Sequence, residues 1–267
     1  MLEYSNGNPN RPKNIFFVPQ TLSMKNIIER FFLIVLVMLL PTATKAQLWP
    51  ATDSANLISH TFYTLSYNEK NEEADWVFYF LTPERTQNKV ASRSDNFRPD
   101  PLVVTGSAEL SDYRNSGFDR GHLCPASDMG FDSVAMSESF YMSNMCPQYP
   151  GFNRGVWKSL EEQVRVWSLQ FDTLFVITGP VFYSNTYLHI GKNKVAVPDA
   201  CFKVLLGKKD STYSTIGFII PNVNGLKNFW QFCVTIDEAE AKTGFDFFGS
   251  LDDNIEIPVE EKKGEFN

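Results

Sequence analysis

Ser111 to Met129 reads SDYRNSGFDRGHLCPASDM, and it sets Asp119, Arg120, Gly121 and His122 in four successive positions. Gly117 to His122 is predicted to form a strand or strand end that presents His122. Histidine takes a proton from water near neutral pH, arginine grips phosphate, and glycine lets backbone approach closely. DRGH alone does not decide between chemistry and a core histidine beside a structural Asp–Arg pair. A second block, FYMSNMCPQYPGFNRGVWKSLE from Phe140 to Glu161, adds Asn144, Asn153 and Glu161, oxygen donors of the kind that suits a hard cation. The two blocks together carry the groups needed for metal-assisted phosphodiester hydrolysis.

In this order and spacing the blocks resemble the DNA/RNA non-specific endonuclease family, the ββα-metal group that includes Serratia-type secreted nucleases and mitochondrial endonuclease G. The likeness extends to Asp95-Asn96-Phe97-Arg98-Pro99-Asp100, to Val176-Ile177-Thr178-Gly179-Pro180 and to Ile236 through Leu251, so it covers roughly residues 60 to 251. It implies an α+β fold: a single domain with a central antiparallel sheet flanked by helices and carrying a ββα-metal motif. It also implies an endonuclease for DNA and RNA with little sequence preference, dependent on Mg²⁺ (Mn²⁺ also suits oxygen ligands), leaving 5′-phosphate and 3′-hydroxyl ends. Dimers occur among family members, and no interface signature stands out here.

The roles follow residue by residue. His122 is the candidate general base, for which a near-neutral pKa is expected. His60 and His189 read as structural. Asn153 is the candidate metal ligand, and its position also suits a helix N-cap. Glu161 lies eight residues later; on one straight helix that is about 12 Å of rise, which suits orienting water around the ion better than direct ligation. Arg120 is placed to hold the scissile phosphate or stabilise its transition-state charge. Asp119 reads as a support for the site rather than a ligand. Asn144 resembles a family asparagine that fixes the catalytic loop, and it is grouped with Arg93 and Arg154 on the substrate side. Arg98 competes with Arg93 for the upstream phosphate contact. Two other readings use the same residues: a phosphodiesterase for small nucleotides or other phosphate esters, and a silent binding protein.

The rest of the 267-residue chain bounds these readings. At 43% apolar and with 23 phenylalanines it supports a large single core, and no repeat or linker divides it. Phe31 to Leu40 (FFLIVLVMLL) falls short of the about 20 residues a transmembrane helix needs. With Lys25 and Arg30 before it and PTATKA after it, the segment reads as a signal peptide spanning residues 1–46, with Met24 an alternative start. Residues 47–267 then form the endonuclease domain of a secreted or periplasmic protein that keeps no membrane association. That domain holds 19 basic and 29 acidic side chains, which counts against a generic nucleic-acid binder without excluding a nuclease. A local cluster of Arg93, Arg98, Arg114, Arg120, Arg154 and Lys158 is left to attract phosphate. Export permits disulfides, with Cys124–Cys146 and Cys201–Cys233 the favoured pairs and free buried thiols the alternative.

Strands are predicted at His60–Tyr67, Trp76–Leu81, Leu174–Thr178, Ala196–Val197, Phe202–Leu206 and Thr215–Ile220. Helices are predicted at Ser133–Phe140, Asn153–Gln170 and Thr235–Thr243, the last ended by Gly244. Thr82 to Pro101 reads as loop, and the charged tail from Asp252 as frayed.

Overall fold

The computed structural model describes residues 48–261 together with Gly264 and Phe266. The leader read from the sequence, and the alternative start at Met24, lie outside the described residues. Among the described residues, no helix is long and apolar enough to cross a membrane.

Seven antiparallel strands make the central sheet. In spatial order they are β1 (Leu57–Ser59), β2 (Tyr63–Asn68), β3 (Glu73–Leu81), β6 (Thr173–Val181), β9 (Ala200–Lys209), β10 (Thr212–Pro221) and β11 (Cys233–Val234). Two small ribbons join β4 (Asp119–His122) to β5 (Met145–Gln148), and β7 (His189–Ile190) to β8 (Val195–Ala196). The helices are α1 (Pro83–Gln87), α2 (Leu110–Tyr113), α3 (Ser133–Glu138), α4 (Lys158–Ser168), α5 (Ile236–Thr243) and α6 (Asp253–Glu260).

Alternation along the strands sorts side chains onto two faces. Val77, Tyr79, Leu174, Val176, Leu205, Phe218 and Ile220 point to the face that carries the β4–β5 ribbon and α4. Trp76, Phe78, Ile177, Phe202, Val204 and Ile219 point to the other, where α5 covers them with Ile236 and Ala239. On α4, Leu160, Val164 and Trp167 are buried at helical spacing. Each such side chain contributes about 1.5–3 kcal/mol by leaving water, which fixes the helix on the sheet.

Four local expectations are corrected. Asn153 to Gln170 is not one helix: Phe152–Trp157 is a turn of π-helix in which Gly155 has non-helical angles (φ −109°, ψ −110°), and α4 begins only at Lys158. The tail does not fray after Asp252. Its side chain caps α6 by accepting from the Asn254 amide at 3.0 Å, and Ile255 and Val259 turn inward. Neither expected disulfide forms, since Cys124, Cys146 and Cys201 are buried thiols. Cys146 lies beside Cys201 instead. The segment read as loop also contains α1, whose N-cap Thr82 accepts from the Arg85 amide at 3.2 Å.

Candidate active site

Strands β4 and β5 pair in register, with Gly121 opposite Cys146 and His122 opposite Met145. Glycine is required at 121 because a Cβ there overlaps the side chain of Gln148. The chain then enters the π-turn through a pinned loop: Asn222 Oδ1 accepts from the Tyr149 amide at 3.0 Å and Asn224 Oδ1 from the Gly151 amide at 2.7 Å. Ribbon, π-turn and α4 together make a ββα unit with His122 on its first strand and Asn153 at its turn.

A groove of roughly 470 Å³ is lined by Arg93, Arg120, His122, Asn153, Arg154, Lys158, Glu161 and Arg165. A second groove of roughly 490 Å³ shares Arg93, Arg120, Asn153 and Arg154, and adds Arg114, Phe97 and Phe118. The structure therefore brings together His122, Arg120, Glu161, Arg93, Arg154 and Asn153.

The imidazole of His122 is held by two phenylalanines. Phe140 meets it edge-on at 4.9 Å and Phe97 lies 5.7 Å away. The same rings carry the arginines, with the Arg120 guanidinium 4.2 Å from the Phe97 centroid and that of Arg93 4.9 Å from Phe140. His122 Nε2 is buried without a hydrogen-bond partner among the described residues, so Nδ1 is the ring nitrogen that opens on the groove. Burial, then the charges of Arg93 and Arg120, push its pKa from 6.5 down to about 3. That lies below the near-neutral value expected from sequence, and the imidazole is neutral at physiological pH.

Asp119 arranges the neighbouring groups. Its Oδ2 accepts from Asn153 Nδ2 at 2.9 Å, while Arg154 donates to both of its oxygens, at 2.8 and 2.6 Å. Burial works against its charge, but Arg154 and Asn153 outweigh it and hold the carboxyl below its ordinary pKa. A carboxylate accepts only from the NH₂ end of an amide. Asn153 is thereby oriented with Oδ1 as its uncommitted oxygen, within a π-turn rather than at a helix N-cap. Arg154 remains mostly exposed at the rim, tied to Asp119.

Glu161 lines the same groove as Asn153, and the break at Gly155 means that the two do not lie on one straight helix. Burial pushes its carboxyl up to about 7, against the opposing pull of Lys203. Asn144 is fully buried behind the site, not in it. Its Oδ1 accepts from the Cys124 amide at 2.8 Å, and its Nδ2 donates to the carbonyls of Cys124 and Ser139 at 2.9 and 2.8 Å. Grouping it with substrate-side residues is corrected: the amide holds the turn after His122 and has nothing left for a ligand.

Arg93 and Arg98 differ in their contacts, and Arg93 Nε also donates to Asp95 Oδ1 at 2.7 Å. Arg98 donates to the Asn96 and Ser137 carbonyls at 3.0 and 2.9 Å and stacks 4.0 Å from Tyr141, whereas Arg93 lines both grooves. His60 is structural as expected, 2.8 Å from Asp100. Arg165 and Lys203 were missed. Arg165 lies one helical turn beyond Glu161 and bonds buried Asp128 at 2.9 Å, a spacing visible in the sequence. Lys203 is fully buried under Glu161, with its ammonium 4.8 Å from the Trp157 ring. Its signal was a lysine within an apolar strand run.

Comparisons with known proteins identify the family. The DNA/RNA non-specific endonuclease family model matches residues 41–254. A nuclease of Nostoc sp. (strain PCC 7120) is 35% identical over 212 residues, 75% of this chain and 76% of the relative. Human mitochondrial endonuclease G is 36% identical over 210 residues, 74% of this chain and 71% of the relative. Among solved structures, the EndoG/EndoGI complex superimposes with a TM-score of 0.72 at 32% identity, covering 78% of this chain and 90% of that one.

Proposed function

Because the chain belongs to the DNA/RNA non-specific endonuclease family and is an endonuclease, we propose that it is an exported, Mg²⁺-dependent member in which His122 is the general base. The observation that carries this reading is the convergence of His122, Arg120 and Asn153 on one groove.

The residues fit a hard divalent cation. Asn153 is locked with a free amide oxygen, and Glu161 is a half-buried carboxyl whose charge a cation would stabilise. Asn153 would hold the ion, with Glu161 ordering water beside it. When bound, the ion supplies charge stabilisation for the phosphate and for the departing 3′-oxygen. His122 accepts the proton of the attacking water at Nδ1, and its own proton belongs on the sealed Nε2. Water forms the new bond to phosphorus as the bond to the 3′-oxygen breaks, and the departing oxygen takes a proton from solvent water, which leaves a 5′-phosphate and a 3′-hydroxyl. Arg120 and Arg93, splinted by Phe97 and Phe140, grip the phosphate.

The two adjoining grooves favour a polymer over a small ester, since both share Arg93, Arg120, Asn153 and Arg154. They offer phosphate contacts rather than a base code, which suits both DNA and RNA. Export is supported by the leader-like Phe31 to Leu40 and its flanks. A homodimer, a state the family resemblance allows, is checked by light scattering. The test incubates circular plasmid and RNA with wild type, His122→Ala and Asn153→Ala, with Mg²⁺, Mn²⁺ or EDTA. Metal-dependent loss of both polymers by wild type alone is expected; equal cutting by His122→Ala overturns the assignment of the base.

A further inference from the structure

The two C-terminal helices bring a second set of oxygen donors together, far along the chain from the ββα unit. Asp237 and Glu240 on α5 and Glu260 at the end of α6 place carboxylate oxygens all within 4.8 Å of one another. A carboxylate cluster on a surface means little alone. Here, however, Glu260 is only 8% exposed, and its Oε1 is buried without a hydrogen-bond partner among the described residues. No basic side chain among the described residues makes an ion pair with any of the three. Asp246 and Glu256 add further negative charge nearby.

We propose that Asp237, Glu240 and Glu260 bind a Ca²⁺ ion that ties α6 to α5. The spacing suits this ion: Ca²⁺ takes oxygens at about 2.3–2.6 Å in flexible geometry, so opposed ligands lie up to about 5 Å apart. Mg²⁺ requires a tighter octahedron and keeps more of its water. Glu240 is already oriented, since one of its oxygens accepts from the Phe247 amide at 2.7 Å. α6 is anchored from the other side by the Thr215 hydroxyl, which donates to the Val259 carbonyl. Because α5 packs on the sheet face opposite the groove, this ion is separate from the catalytic one and acts on stability rather than on the reaction.

The test uses the whole chain carrying Asn153→Ala, so that the groove ligand is gone, and titrates CaCl₂ by calorimetry and by thermal unfolding. One Ca²⁺ per chain is expected, and Tm is expected to rise by about 5–10 °C when calcium exceeds its Kd a hundredfold. Adding Glu260→Gln, or separately the exposed-site change Asp237→Asn, is expected to weaken binding at least tenfold and erase the shift. Without calcium, Glu260→Gln is expected to leave Tm unlowered, because burial and the neighbouring carboxylates push the Glu260 carboxyl up to about 8 and so keep it mostly uncharged near neutral pH. Absence of calcium binding by the Asn153→Ala chain, or an undiminished shift in both additional variants, overturns the proposal.

Discussion

Replacing Asp119 by Asn tests the site where it is most tightly argued. The carboxylate fixes Asn153 through one hydrogen bond of 2.9 Å and receives two more from Arg154. In Asp119→Asn the new amide can present its NH₂ to that of Asn153, and the Asn153 side chain then gains by rotating its oxygen inward. The donor intended for the cation would become an NH₂ group. A hydrogen bond to a charged partner contributes about 1.5–3 kcal/mol. At about 1.4 kcal/mol per tenfold, losing it from the metal-competent orientation weakens Mg²⁺ binding roughly 10- to 100-fold. This is the range found when groups behind metal ligands are changed. The assay is initial-rate plasmid cleavage against Mg²⁺ concentration. The expected result is a half-saturating Mg²⁺ concentration raised by that factor, with much of the rate recovered at saturation. An unchanged Mg²⁺ dependence, or a rate lost equally at every concentration, refutes the reasoning that Asp119 acts by orienting Asn153.

The other predictions address base, frame and phosphate grip. Below pH 6.5 the unfolded chain takes a proton on His122 that the native site refuses until about pH 3, so stability falls with falling pH across that window. The slope reaches up to about 1.4 kcal/mol per pH unit, and denaturant unfolding of His122→Asn should show a shallower one. Gly121→Ala forces a methyl group into Gln148 and is expected to cost about 1–3 kcal/mol, read as a lower denaturation midpoint. Arg93→Ala is expected to raise KM for plasmid with little effect on Tm. Arg98→Ala is expected to lower Tm while sparing KM, because its guanidinium serves Ser137 and Tyr141.

Much of this site was legible because its signals are local. Asp119 to His122 is a short strand whose glycine reports a close approach, and the Asn153 block supplies the donors on the next element. The helical register of Leu160, Val164 and Trp167 is a property of spacing alone. What was hidden depends on long-range placement or on a single break in a regular pattern. Gly155 interrupts a sequence with good helical periodicity, and only the packed structure shows a π-turn that puts Asn153 and Glu161 in one groove. The cysteine pairing failed similarly: Cys124 and Cys146 were paired by nearness to the motifs and Cys201 and Cys233 as residues of neighbouring strands, whereas β10 lies between β9 and β11 and packing of the β4–β5 ribbon on the sheet sets Cys146 beside Cys201. The tail looked disordered by charge, but Asp252 as a cap and two inward apolar residues were enough to make a helix.

The electrostatics of the groove explain how an acidic protein, with net charge −7, can act on a polyanion. Its two titratable catalytic candidates are displaced in opposite directions. His122 is held neutral by burial and two arginines, while Glu161 is raised to about 7 by burial despite Lys203. Each displacement reflects a charge that the ligand-free groove lacks. A phosphodiester between Arg93 and Arg120 offsets the pull of the two guanidinium groups on His122, leaving burial alone to hold its pKa down. The imidazole then becomes a stronger base when substrate arrives, yet stays below pKa 6.5. A cation beside Glu161 acts in the reverse sense and favours its carboxylate. The site is thus least prepared for hydrolysis when empty, and its affinity for phosphate is confined to a few arginines within a negative surface. Binding of long nucleic acid is then governed by these short-range contacts, not by attraction from a distance.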